Sequence, residues 1–115
     1  MRAATEGARP APDQHAAMRT YAVTWQQGGQ GTSYGCLELL SDQLRLNGYD
    51  GADPAGETVP YSDLIAVRVG RTASDRLSGR QTLVLERRGG LPIHIASVVH
   101  PGVVSELAEL LTPHL

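Results

Sequence analysis

Apolar residues that return at every second position are the feature that most restricts what this chain can become. Tyr21, Val23 and Trp25 fall on one side of an extended segment, with Ala22 and Thr24 on the other. Leu37 and Leu39 alternate around Glu38, Leu44 and Leu46 around Arg45, Leu83 and Leu85 around Val84, and Ile93 and Ile95 around His94. Side chains on a strand alternate between faces, so such a pattern gives each segment one apolar face to bury. At Pro101 the period changes. Val103, Val104, Leu107, Leu110 and Leu111 form a helical stripe with Ser105, Glu106 and Glu109 opposite, Pro101 suits a first helical turn, and Pro113 ends the run. A helix with one apolar face needs an opening to cover. The predicted fold is therefore mainly β: a partly open barrel of two packed antiparallel sheets, about seven strands in all, capped by one C-terminal helix.

Turn chemistry divides the segments. Ser41-Asp42, Asn47-Gly48 and Gly89-Gly90 read as tight turns, and the acids, glycines and proline of GYDGADPAGET, residues 48–58, read as an exposed loop. Val59 and Tyr61 around Pro60 suggest a short edge strand, where proline is tolerated. The run 64–69 predicts a strand with Ile65, Val67 and Val69 inward, followed by a polar loop from Gly70 to Gly79. Residues 36–46 carry a second reading, because Leu37, Leu40 and Leu44 also match a helical spacing. Two strands are preferred, since no capping box precedes them and the flanking pattern is β. Residues 1–18, rich in Ala, Pro and charge, read as a disordered leader, and 19–115 as one domain.

Composition removes several chemistries. All ten basic residues are arginine, which excludes the P-loop lysine, the kinase lysine and every Schiff-base mechanism. The single Cys36 can form no intrachain disulfide and supplies one thiol where a zinc site needs several ligands, so a cytoplasmic location is expected. No apolar stretch reaches the ~18 residues of a membrane helix. Residues 31–35, GTSYG, spell the pattern of a serine nucleophile elbow, but an elbow needs a following helix and a large α/β sheet. The stretch reads instead as a hairpin connection. His94, His100 and His114 lack metal-ligand spacing, and no carboxylate pair stands out for acid–base work. The expectation is a protein that is not an enzyme and has no metal and no cofactor.

The stretches GCLELLSDQLRLNG, VPYSDLIAVRVGR, TLVLERRGGLPIHIASV and PGVVSELAELL, in that order, resemble the pleckstrin-homology-like superfold, especially its bacterial PH-like and GRAM-like branches. The resemblance spans residues 20–112 and implies a binding scaffold, used by relatives for phosphoinositides, peptides or assembly. Lipid-binding members place basic residues across the first two strands. The matching region here, WQQGGQGTSYGCLEL, has none and carries Glu38.

Two candidate sites follow. Residues 68–88 hold Arg68, Arg71, Arg76, Arg80, Arg87 and Arg88 against Asp75 and Glu86, a local balance of +4 in a chain of net −2, which leaves −6 elsewhere. Arginine forks bind phosphate or carboxylate bidentately, so this hairpin is a candidate anion or acidic-partner site. By strand parity Ala66, Val84, Ala96 and Val98 lie on the face opposite Ile65, Leu85 and Ile95, and they form a candidate apolar interface; His94 shares that face, and Trp25 is placed in the core. The expected function is a non-catalytic module that docks a protein partner or self-associates. The alternative is peripheral binding of anionic lipid or phosphate through the arginines. Nucleic acid is not expected, since no aromatics interleave with the basic residues.

Overall fold

The protein is described by a computed structural model covering residues 19–28, 31–100 and 102–115. The stretch 1–18, read as a leader, lies outside the described residues. Seven strands follow in order: β1 (Arg19–Gln27), β2 (Ser33–Leu39), β3 (Gln43–Asp50), β4 (Asp53–Pro60), β5 (Leu64–Gly70), β6 (Thr82–Arg87) and β7 (Ile93–Ser97). Helix α1 (Gly102–Leu111) closes the chain, with a 3-10 turn at Thr112–His114 behind it. Every pairing is antiparallel, in the order β4-β3-β2-β1-β7-β6-β5.

β1 belongs to both halves of this curled sheet. It pairs with β2 from Arg19 to Trp25 and with β7 from Val23 to Gln27. The expected alternation places Val23, Trp25, Leu37, Leu44, Leu46, Leu83, Leu85, Ile93 and Ile95 in one core cluster, each at most 2% exposed. α1 packs against β5, β6 and β7 and lays Val104, Leu107 and Leu111 on that cluster. Each such side chain contributes about 1.5–3 kcal/mol of burial, which outweighs the weak propensity of a ten-residue helix. The helix start is capped locally: Ser97 Oγ accepts the Val99 and His100 amides at 3.2 and 3.1 Å, and His100 Nδ1 accepts the Gly102 amide at 3.0 Å.

Of the two readings of residues 36–46, the paired strands are the observed one, joined through Leu40–Asp42. Three expectations fail. Asn47-Gly48 is no turn but mid-strand, and the supposed loop 48–58 is the end of β3 and most of β4, joined by Gly51-Ala52 with Gly51 at φ +66°. Gly48 serves close approach instead: a Cβ there would lie 1.9 Å from the Tyr34 carbonyl oxygen, and one on its partner Gly35 would lie 2.1 Å from that of Asn47. Ile65 is 56% exposed, because a bulge between Leu64 and Ala66 inserts one residue and turns Leu64 and Val67 toward the core in its place.

Val84 and Ala96 give the third correction. Their parity is as expected, facing away from the main cluster, yet they are 1% and 0% exposed. The β5–β6 loop returns to that face, bonded to it through Leu77–Thr82 and Arg68–Asp75, and Leu77 within it is only 7% exposed.

Candidate functional site

The returning loop is pinned by three sets of contacts. Arg68, on β5 opposite Val84, donates from Nη1 to Asp75 Oδ2 at 2.9 Å, from Nη2 to Asp75 Oδ1 at 3.4 Å and from Nε to Glu86 Oε2 at 3.3 Å. The Leu77 amide donates to Thr82 Oγ1 at 2.9 Å, and that hydroxyl donates to the Arg80 carbonyl at 2.8 Å. Arg80 Nη1 reaches the Ser97 carbonyl on β7 at 3.1 Å. The Arg68 guanidinium holds the Asp75 carboxyl below the usual carboxylate range, with a smaller contribution from Thr72. In return Asp75, and then Glu86, raise Arg68 above its ordinary value. Gly70 lets the loop come this close, since a Cβ on it would stand 2.5 Å from that of Asp75.

The six arginines do not form one patch. Arg68 is spent on Asp75 and Glu86, and Arg80 on Ser97. Arg87 points into the mouth of the barrel, where Nη1 meets Glu57 Oε2 of β4 at 2.6 Å, Nη2 meets Gln27 Oε1 of β1 at 3.3 Å and Nε meets the Leu91 carbonyl at 2.9 Å. Gln27 Nε2 donates to Glu57 Oε1 at 3.1 Å, so three strands, no two of them neighbours in the sheet, are tied together there. Arg88 is exposed at that end of β6, and its amide donates to the Asp63 carbonyl at 2.9 Å. Arg71 and Arg76 remain. Both are exposed, neither has an acidic partner among the described residues, and with Ala73 and Gly79 they line an open cleft of about 500 Å³.

The apolar quartet is also divided. Val84 and Ala96 are covered, Ala66 is partly exposed, and Val98 is 48% exposed past the end of β7. Val98 lines a groove of about 310 Å³ with Arg80, Gln81, Ser97, Val99 and His100 rather than the sheet face. Sequence reasoning missed Leu77, whose only signal is that it is the one large apolar residue of the loop, and missed Glu57 and Gln27 as partners of Arg87.

The remaining motifs also have definite places. Ser33 of GTSYG opens β2, opposite Trp25, and is followed by strand, so the turn-then-helix geometry of a nucleophile elbow is not formed. His94 is on β7, with Nδ1 buried and without a partner among the described residues; His100 caps α1, and His114 stacks on Tyr61 with ring centroids 3.9 Å apart. No group of three His, Cys, Asp or Glu side chains among the described residues could hold a metal ion. No described helix is long and apolar enough to cross a membrane.

The architecture, then, is a curled antiparallel half-barrel with a helix across its opening. No family model and no curated protein matches the chain. Among solved structures it is similar to the C-terminal domain of an unknown protein from Leishmania infantum, known from a crystal structure, with a TM-score of 0.64 over 83% of each chain and 10% sequence identity. At that identity the likeness speaks for the fold alone.

Proposed function

We propose that this chain is a non-catalytic binding module of the PH-like kind, and that it docks an acidic segment of a protein partner through Arg71 and Arg76. One observation carries the reading: these two guanidinium groups lack acidic partners among the described residues, yet they stand on a loop fastened at Arg68–Asp75, Leu77–Thr82 and Arg80–Ser97. A fastened loop presents its arginines without the full entropy cost of ordering them on binding. Contact by the outer sheet face loses its support, because Val84 and Ala96 are covered.

Magnitudes separate a protein partner from an anionic membrane. Each arginine near an anionic bilayer supplies about 1 kcal/mol, so two supply about 2 kcal/mol, too little for stable attachment of a chain whose net charge is −2. Arg87 and Arg88 stand at the far end of β6 and do not add to the loop. A carboxylate pair on a peptide can instead engage both forks at once.

The test is titration of a Glu-rich peptide into wild type and into Arg71→Gln/Arg76→Gln, at low and raised salt. Binding that weakens with salt and is lost in the double variant, with the melting temperature unchanged, is the expected result. Equal binding by both proteins refutes the reading, and sedimentation with anionic vesicles but not with peptide replaces the partner by lipid.

A further inference from the structure

At the mouth of the barrel lies a second cleft of about 310 Å³, between Gly31 with the start of β2 and the β3–β4 hairpin. Trp25, Gln27, Ser33, Asp50, Asp53 and the stretch Pro54–Gly56 are prominent in its lining. Asp50 and Asp53 pair across the Gly51-Ala52 turn, both exposed, and neither carboxylate has an ion pair among the described residues. The third acid of the neighbourhood, Glu57, is already bonded to Arg87 and Gln27, and both ends of the Gln27 amide are spent in that junction. Two uncompensated negative charges therefore belong to the cleft.

A second observation is independent of those acids. Ser33 is 7% exposed, yet its hydroxyl has no hydrogen-bond partner among the described residues and opens to the cleft. Its oxygen is not sealed off, so it is open to a donor that enters the cleft. Trp25, 2% exposed, also lines the cleft, and Pro54 and Ala55 add apolar wall.

We infer that this cleft is a binding site for an organic cation, a guanidinium or primary ammonium group. The cation pairs with Asp50 and Asp53 and donates a hydrogen bond to Ser33 Oγ, while its carbon stem lies along Trp25 and Pro54. A planar fork of N–H donors matches carboxylates bidentately. A metal ion fits less well, because a hard cation takes six or more oxygen ligands and the cleft brings two carboxylates and one hydroxyl. The site is separate from the arginine loop, which lies at the other end of β6, so either reading can fail without the other.

The sole tryptophan of the chain is in the cleft, and it reports occupancy directly. Argininamide, which carries the guanidinium without a carboxylate, is titrated into the full chain with Trp25 emission and calorimetry as readouts, and neutral citrullinamide and calcium chloride serve as controls. The expected result is saturable binding of argininamide that is retained in Arg71→Gln/Arg76→Gln. Affinity falls at least about tenfold in Asp50→Asn/Asp53→Asn and several-fold in Ser33→Ala, with melting temperatures unchanged. Light scattering over a wide concentration range separates the sources of the cation. A mass that rises with concentration, and ceases to rise in Asp50→Asn/Asp53→Asn, assigns the group to an arginine of a second copy; a constant monomer that binds argininamide assigns it to a free ligand or another chain. Equal binding of citrullinamide, binding of calcium alone, absence of saturation, or unchanged affinity in the Asn variant overturns the proposal.

Discussion

Replacing Gly48 separates two readings of the same dipeptide. If Asn47-Gly48 were a tight turn, Gly48 would serve its left-handed backbone, and Gly48→Ala would cost about 1–2 kcal/mol while Gly48→Asn, which tolerates that conformation, would cost less. In the structure Gly48 is mid-strand, and an added Cβ would stand 1.9 Å from the Tyr34 carbonyl oxygen and 2.8 Å from the Gly35 Cα. Both neighbours are backbone, so no rotamer relieves the contact. β2 and β3 must part by more than an ångström, which breaks about two ladder hydrogen bonds at about 1 kcal/mol each and disturbs Leu37 and Leu46, whose packing adds about 1–2 kcal/mol. The expected cost is about 3–4 kcal/mol, the same for Ala and Asn. Gly51→Ala is the control: it has open space but φ +66°, and it costs about 1–2 kcal/mol. Urea unfolding followed by Trp25 fluorescence measures all three. A Gly48→Ala cost at or below that of Gly51→Ala, or a Gly48→Asn cost well below that of Gly48→Ala, refutes the close-approach argument.

Three further outcomes are expected. Val84→Arg places a charge at a position 1% exposed, so it lowers stability by about 3 kcal/mol or more, roughly 12–24 °C in melting temperature for a domain of this size; an unchanged melting curve would show that the loop does not cover β6. Arg87 is 12% exposed and Glu57 27%, so a double-mutant cycle of Arg87→Ala with Glu57→Ala yields a coupling of about 1–2 kcal/mol, above that of an exposed pair, and a coupling near zero contradicts the closure assigned to this junction. Asp75 has a folded pKa lowered by Arg68, so the stabilisation from this contact is complete above the usual carboxylate range and is lost as pH falls through the lowered value. By NMR the Asp75 carboxyl titrates at lower pH in wild type than in Arg68→Gln, and coincident midpoints would remove the Arg68 contact as the cause.

Much of the fold was legible because it is local. Strand alternation at Val23 and Trp25, at Leu37 and Leu39, and at Ile93 and Ile95 needs only the two-residue period and a single buried face, and the α1 stripe needs only the 3.6-residue period. The candidate site was less legible. Six arginines within 21 residues looked like one patch, yet strand direction sends Arg87 to the barrel mouth and Arg71 and Arg76 to the opposite end, while Arg68 and Arg80 are taken by neighbours. The Asp50–Asp53 cleft was hidden because residues 48–58 resemble a loop in composition and behave as a hairpin by pairing.

By itself, then, the amino-acid sequence determined the number and kind of elements, the residues of the main core, the absence of lysine chemistry and the position of the closing helix. Only the tertiary structure decided which glycines turn the chain and which let strands touch, that the bulge at Ile65 reverses its face, and that the loop carrying Leu77 returns to the face of Thr82 and Arg68 while Val84 and Ala96 are buried. The physical reason is range. Periodicity and turn propensity act over a few residues, whereas close approach, loop return and charge pairing join residues such as Glu57 and Arg87, 30 positions apart, through the curvature of the whole sheet.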